Sequence, residues 1–272
     1  MSKGMAIATI FFLGVLPGTS QPVNYNSPAP VKNTTKGWLY GSFGWHRIYY
    51  TNSTIRFQSK KTADYDFRLI KAKAIDDNDI RVGRGIDAPQ WSLRFGYINQ
   101  RKSWGIELNY DHAKYLLKQG QTVRIQGTIN GIYYNKDTVI DPDFLQYEHT
   151  DGANYYMLNF LKRQKLSKAS REKHELDILF KTGAGLVIPR TESRIMGNSY
   201  NEHYHISGYV AGIESSLRYE PVRNIFAELS VKGVFARYSD VLLYGNGRAS
   251  QQWWSGQWLF TLAYQLPVKK GY

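Results

Sequence analysis

Residues 91 to 111 read Trp91-Ser92-Leu93-Arg94-Phe95-Gly96-Tyr97-Ile98-Asn99-Gln100-Arg101-Lys102-Ser103-Trp104-Gly105-Ile106-Glu107-Leu108-Asn109-Tyr110-Asp111. Trp91, Leu93, Phe95 and Tyr97 alternate with Ser92, Arg94 and Gly96. Beyond the polar turn Asn99 to Lys102, Trp104, Ile106, Leu108 and Tyr110 alternate with Gly105, Glu107, Asn109 and Asp111. Successive side chains of a strand point to opposite faces, so both runs carry one apolar face and one polar or small face. The stretch is a long hairpin, and the charged residues of its two strands, Arg94, Glu107 and Asp111, share one side.

The same period of two recurs outward from this hairpin. Leu176, Ile178, Phe180, Thr182, Ala184 and Leu186 face away from Asp177, Lys181, Gly183 and Gly185, and Trp258, Phe260, Leu262, Tyr264 and Leu266 face away from Gln257, Thr261, Ala263 and Gln265. Eight long segments follow the rule: 37–50, 89–99, 103–115, 153–163, 174–188, 204–219, 223–238 and 252–266. No comparable 3.6-residue stripe occurs, so the domain is all-β. Most segments reach the roughly nine to eleven residues that cross a bilayer at a tilt. Asn99 to Lys102, Gln164 to Lys173 and Glu220 to Val222 make short connections, whereas Thr51 to Ala88, Leu116 to Gly152, Pro189 to His203 and Ser239 to Gln251 are long. Short turns at one end and long loops at the other are the mark of an outer-membrane barrel. The expected fold is an antiparallel up-and-down transmembrane β-barrel of eight strands with long extracellular hairpin loops. Tyr65 to Leu69 and Thr122 to Tyr134 also have strand character. They read as hairpin extensions above the membrane, or else as two further wall strands, making ten.

The chain has 272 residues, 42% hydrophobic and 15% aromatic, no cysteine, and a formal net charge of +13. Without cysteine there is no disulfide scaffold, thiolate metal site or thiol nucleophile. Residues 1 to 20, with Lys3, an apolar run from Met5 to Leu16, then Gly18 and Ser20, read as a secretory signal peptide; a buried N-terminal helix is the alternative. Residues 21 to 36 form a polar, Pro- and Asn-rich leader, and 37 to 272 the barrel domain. The expected location is the outer membrane of a Gram-negative bacterium, reached through a cleaved signal.

An eight-stranded barrel is just wide enough for side chains to fill it. The polar faces supply Arg94, Lys181, Arg218 and Lys232 against Glu107, Asp177, Glu214 and Glu228, with Asp111 near a strand end. Isolated charges in such a space are costly, so these residues are expected to pair into a network that plugs the lumen. A gated ion path is the alternative, although a balanced lumen lacks the single-sign ring of a selective channel. Gly44, Gly96, Gly105, Gly183, Gly185 and Gly212 leave room for the long side chains. Outside, Trp38, Trp45, Tyr49, Tyr97, Trp104, Tyr204, Tyr219, Trp258 and Tyr264 gather toward strand ends as an aromatic belt. A lipocalin-like barrel would turn the apolar face inward instead. Arg101, Lys102, Lys162, Arg163, Lys165, Lys168, Arg171, Lys173, Lys269 and Lys270 crowd the short turns and the C-terminal tail, where anionic headgroups would attract them. No nucleic-acid-binding motif accompanies the positive charge, so no nucleic-acid partner is expected.

Candidate chemistry is sparse. His203, His205 and Ser207 share a face at the start of one segment. Glu148-His149-Thr150-Asp151 and Asp111-His112 lie near strand tops, where they and His46 could converge. Asp76-Asp77-Asn78-Asp79 lacks the Gly and distal Glu of an EF-hand and reads as a solvated turn. No metal or cofactor is expected.

His205-Ile206-Ser207 resembles the His-x-Ser of outer-membrane lipid A deacylases of the PagL type. That resemblance implies His205 as general base and an outward-facing Ser207 as nucleophile, although no acid stands at the family's spacing. Palmitoyl-transferring barrels, which place His, Asp and Ser on an outer rim, make His149 and Asp151 further candidates. The overall pattern resembles the small OmpA/OmpX-type barrels. Tyr65 to Leu69, Tyr147 to Tyr155 and Gly183 to Pro189 also look like an uncharacterised outer-membrane barrel family of Bacteroidota. These resemblances imply fold, location, and as partners outer-membrane lipids and lipopolysaccharide. Terminal Tyr272 is the kind of aromatic end that the barrel-assembly machinery favours. The function expected is surface binding or envelope maintenance through external loops, with a lipid A acyl hydrolase or acyltransferase as alternative and a narrow channel as a third class.

Overall fold

The structure, a computed structural model, describes residues 35–60, 64–76, 89–166, 175–201 and 203–269. The expected signal peptide, most of the leader, Asp77 to Asp79, Lys168, Arg171, Lys173, Lys270 and Tyr272 lie outside the described residues.

The first strands are β1 (Thr35–Tyr50), β2 (Ser53–Ser59), β3 (Tyr65–Ala72), β4 (Ala74–Ile75), β5 (Trp91–Asn99) and β6 (Trp104–His112). Next come β7 (Tyr115–Leu117), β8 (Thr122–Ile129), β9 (Ile132–Val139), β10 (Leu145–His149), β11 (Tyr155–Lys165) and β12 (Glu175–Val187). The last are β13 (Glu192–Ile195), β14 (Asn198–Tyr200), β15 (Gly208–Val222), β16 (Ile225–Leu242) and β17 (Arg248–Lys269). Eight of them, in the order β1-β5-β6-β11-β12-β15-β16-β17, form an antiparallel wall that closes through pairing of β1 with β17. Each corresponds to one of the eight alternating segments, with ends displaced by a few residues. The eight-strand reading therefore holds.

The remaining strands stand at the long-loop end. From the top of β17 the sheet continues through β2, β3, β8 and β9, and a second sheet runs β14-β13-β10-β7-β4. Tyr65 to Leu69 and Thr122 to Tyr134 thus lie in extensions of the wall sheet, and the barrel does not widen to ten. One expected long loop is short. Strands β16 and β17 run on past the wall and join over residues 243–247, because Val241 pairs with Ala249 and Leu242 with Arg248.

Alternation along the wall sets two environments. Outward residues such as Leu108 and Ile213 are 63% and 69% exposed, and Leu39, Phe43, Phe95, Leu158, Phe180, Leu229, Phe260 and Leu262 are exposed with them. A soluble monomer seldom exposes an apolar patch beyond a few hundred Å². Here the exposed apolar face encircles the wall, as hydrocarbon requires of a spanning barrel. Trp45, Tyr49, Tyr204, Tyr219, Trp258 and Tyr264 are exposed as expected. Trp38 departs: it has the parity of inward Tyr40 and pairs across to buried Ile98, and its indole donates to Gln100 Oε1 at 2.9 Å.

The interior is layered. Nearest the short turns, Tyr40, Ile98, Leu161, Leu179, Phe226 and Ala263 form a small apolar cluster. The charged residues lie above it. Toward the long-loop end a large aromatic and aliphatic core joins inward wall residues (Ile48, Tyr155, Val210, Tyr238, Trp253) to cap residues (Ile55, Phe57, Phe67, Tyr115, Tyr147). Trp253 stacks on Tyr115 at 4.5 Å and on Tyr238 at 4.6 Å between centroids. The ionic layer therefore lies between two apolar clusters.

Candidate functional site: the lumen network and the outer rim

Four cations and four anions, all almost wholly buried, meet in the middle of the barrel. The Arg94 guanidinium donates two bonds to Glu214, at 2.6 and 3.0 Å, the fork geometry that makes such pairs strong. Lys181 Nζ lies among three carboxylates, 2.6 Å from Glu228 and 3.1 Å from both Glu107 and Glu214. Arg218 donates to Glu228 at 2.9 and 3.1 Å, with its guanidinium 3.8 Å from the Phe226 ring centre. Lys232 donates to Asp111 at 2.5 Å and to Asn109 Oδ1 at 2.7 Å.

Neutral donors complete the carboxylate shells. The Tyr40 hydroxyl donates to Glu107 at 2.7 Å, and the Asn159 amide donates to it at 3.0 Å. Ser92 donates to Asp111 and Ser216 to Glu214. Tyr40 reaches Glu107 because its ring lies where a side chain on Gly96 would be: a Cβ there would stand 2.4 Å from the ring. The partners come from seven wall strands, so the network ties distant parts of the wall together.

Two assignments change. Asp177 is not part of this layer. It sits lower, 3.8 Å from Arg163, while Asp111 supplies the fourth central anion. Arg163, expected among the turn cations, has inward parity on β11 and donates to Gln100 at 3.2 Å. The turn it was grouped with begins only after the strand has completed this inward step.

The rim candidates do not assemble. His203, His205 and Ser207 precede β15 and are not part of it, so strand parity does not govern them. Ser207 is 1% exposed, and its hydroxyl donates to the main-chain oxygen of His205 at 3.2 Å. It does not face lipid. His205 has an acid after all: its Nε2 lies 2.8 Å from Asp240 Oδ2, on the neighbouring strand β16. That bond holds the Asp240 carboxyl below its usual range, helped by Arg248 at 2.7 Å. Sequence spacing could not find this partner, because strand pairing supplies it from 35 residues away.

His149 is not on an outer rim either. It is fully buried in the cap core, its ring stacked on Tyr238 at 5.3 Å with Nδ1 3.0 Å from the Thr191 hydroxyl. Burial pushes its imidazole down to about 3. Asp151 pairs with Arg190 at 3.2 Å, away from it. His112 Nδ1 lies 3.1 Å from Asn154 Oδ1, and His46 Nε2 lies 3.2 Å from the His112 carbonyl oxygen. These two histidines are neighbours, on the two wall strands that flank β5. Asp76 pairs with Arg47 at 3.0 Å and accepts from the Ile48 amide, as a structural turn residue does. No group of three or more metal-ligating side chains occurs among the described residues.

No protein-family model matches the chain, and no curated protein sequence matches it. Solved structures with a similar chain trace are outer-membrane proteins. One is AlkL, determined in lipid bilayers, at 11% identity and a TM-score of 0.38 over 92% of this chain and 99% of that one. Another is Ail of Yersinia pestis, in complex with the heparin analogue sucrose octasulfate, at 12% identity and 0.36 over 85% and 99%. A third is OprG of Pseudomonas aeruginosa, at 9% identity and 0.35 over 86% and 98%.

Proposed function

We propose that this protein is an integral outer-membrane barrel with a closed lumen, and that it acts by surface binding through its extracellular cap. On this reading the chain is exported, inserted by the barrel-assembly machinery, and surrounded by outer-membrane lipid and lipopolysaccharide. The observation that carries the proposal is the division of labour along the strands. Below the rim the inward charged residues pair with one another across the lumen. Above it stands a cap whose aromatic core is shared with the inward residues at the strand tops.

The cap also has an open edge. β9 ends the twelve-stranded sheet, and Ile132, Tyr133 and Val139 on it are exposed. An edge strand offers unpaired backbone donors and acceptors, which natural proteins usually block with charge, proline or a bulge. Here Lys136 and Asp137 are the charges on β9, and three exposed apolar side chains accompany them.

The test uses the purified full chain in lipid nanodiscs, mixed with intact cells of the source species and sedimented. The native protein is expected to co-sediment, and the variant Ile132→Asp/Tyr133→Asp to stay in the supernatant. Equal behaviour of the two, or no co-sedimentation of either, overturns cap-mediated binding. The lipid-modifying alternative keeps the His205–Asp240 pair, but Ser207 is turned from that imidazole to a main-chain oxygen. Unchanged lipid A acylation in cells lacking the gene is therefore the expected result.

A further inference from the structure

At the upper edge of the apolar belt, where β2 and β3 leave the top of β17, the outer face holds a cleft of about 770 Å³. Arg56, Arg68 and Arg237 line it, and no carboxylate does among the described residues. Phe235 and Trp254 line it as well, with ring centres 5.0 Å apart. We infer that this cleft binds the phosphate-bearing headgroup of a membrane amphiphile, with Arg68 and Arg237 on the anion and Trp254 and Phe235 against the first part of the acyl chains. The inference rests on the membrane placement proposed above.

Strand register puts the cations there. On β17, Ser250, Gln252 and Trp254 share the outward face. Arg237 of β16 stands opposite Gln252, and Phe235 opposite Trp254. On the other side Arg56 of β2 stands opposite Ser250, and Arg68 of β3 directly opposite Arg56. Like charges directly across a pair of strands repel and destabilise it. Asp66 answers half of this cost, taking both Arg56 bonds at 2.6 and 2.8 Å. Asp66 also feels the charge of Arg68, but its bonds go to Arg56, and Arg68 and Arg237 are both exposed.

A phosphate monoester carries close to two negative charges and several acceptor oxygens, which suits guanidinium forks better than a single carboxylate does. Height on the wall selects the source of that phosphate. The ring of Tyr209, opposite Arg237, lies 6.2 Å from Phe235, so an aromatic layer runs directly beneath the cations. Trp and Tyr occupy the headgroup level of a bilayer. A phosphate bound here would therefore lie at the depth of outer-leaflet phosphates.

The full chain in detergent micelles, titrated by calorimetry, tests this with three probes: diphosphoryl lipid A, the same lipid enzymatically stripped of phosphate, and inorganic phosphate. The phosphorylated lipid is expected to bind at least tenfold more tightly than the stripped one. The variant R68Q/R237Q should lose at least tenfold of that affinity, and W254A should weaken the lipid while leaving any response to inorganic phosphate unchanged. Both arginines are exposed, so folding of the double variant is checked by heat-modifiable gel mobility. Equal binding of the two lipids, or an unaffected double variant, overturns the inference. Inorganic phosphate displacing the lipid at matched concentration overturns its lipid part. A chain without heat-modifiable mobility fails the membrane reading itself, whereas a heat-modifiable chain that binds both lipids alike fails only the cleft.

Discussion

Lys181 shows how much a single position can hold in a closed lumen. Its ammonium is 1% exposed and serves three carboxylates that would otherwise repel one another. Removing one member of a buried ionic group leaves uncompensated charge, at a cost of about 3–5 kcal/mol. Lys181→Met is therefore expected to lower the unfolding free energy of the micelle-bound protein by that amount, read as a lower urea midpoint, and Lys181→Met/Glu228→Gln to recover part of it. An unchanged midpoint for the single variant would mean that the three acids have another source of compensation. Seven of the eight central side chains were legible from alternation alone, because inward parity plus a charge is an unambiguous sign in a narrow barrel. Asp111 was legible as an inward acid but not as the partner of Lys232, since side-chain reach across the lumen leaves no trace in sequence spacing. Arg163 was misread for a related reason: position near a turn says nothing of the last inward step before it.

At the scale of elements, the wall was readable and the cap was not. Wall strands keep an apolar face against a polar one, so the period of two is visible. At the strand tops that contrast disappears, because Ile48, Trp253 and Tyr238 point inward while Tyr49, Trp254 and Arg237 point outward, and both faces turn aromatic. The pairing of β17 with β2 joins residues far apart in the chain, such as Gln58 and Arg248, so no local pattern could predict it. The buried cap core has a pH consequence. His149 is surrounded by the rings of Tyr115, Tyr147 and Tyr238, the Thr191 hydroxyl and the Gln251 amide, with no carboxylate in contact. Burial holds the phenols of Tyr115 and Tyr147 above their usual range, so they stay neutral at acid and neutral pH. The His149 imidazole falls from 6.5 to about 3, so between those values the unfolded chain binds a proton that the folded cap refuses. Stability is thus full above 6.5 and is lost as pH falls toward 3, by about 1.4 kcal/mol per unit. Between pH 7 and pH 5 the opening of β7, β10 and β13 should rise about twentyfold by this linkage. Hydrogen exchange, corrected for intrinsic amide rates, would measure it. His149→Phe should flatten the dependence, and a cap equally protected at both pH values would contradict it.

Over the described wall strands the apolar side chains face outward and the ionic ones pair within, the reverse of a soluble domain. No helix among the described residues is long and apolar enough to cross a membrane. In hydrocarbon an unpaired backbone group costs several kcal/mol, and closure of β1 on β17 removes the edges that an open sheet would present there. The same closure predicts a compact form that detergent alone does not open. An unheated sample should therefore migrate faster on a denaturing gel than a boiled one. Tryptophan position gives the sharper test. Trp45, Trp254 and Trp258 are exposed on the outer face, whereas Trp253, one residue along from Trp254, is 1% exposed in the cap core. In vesicles with brominated acyl chains, most of the quenchable emission is expected to come from the exposed indoles. Trp45→Phe/Trp258→Phe should remove much of the quenching, and Trp253→Phe should leave it nearly unchanged. Quenching that follows Trp253 instead would require the apolar and polar faces to exchange places. A fluorescence signal indifferent to brominated lipid would mean that the exposed belt meets water, and a barrel of this surface composition would then have to bury the belt against copies of itself.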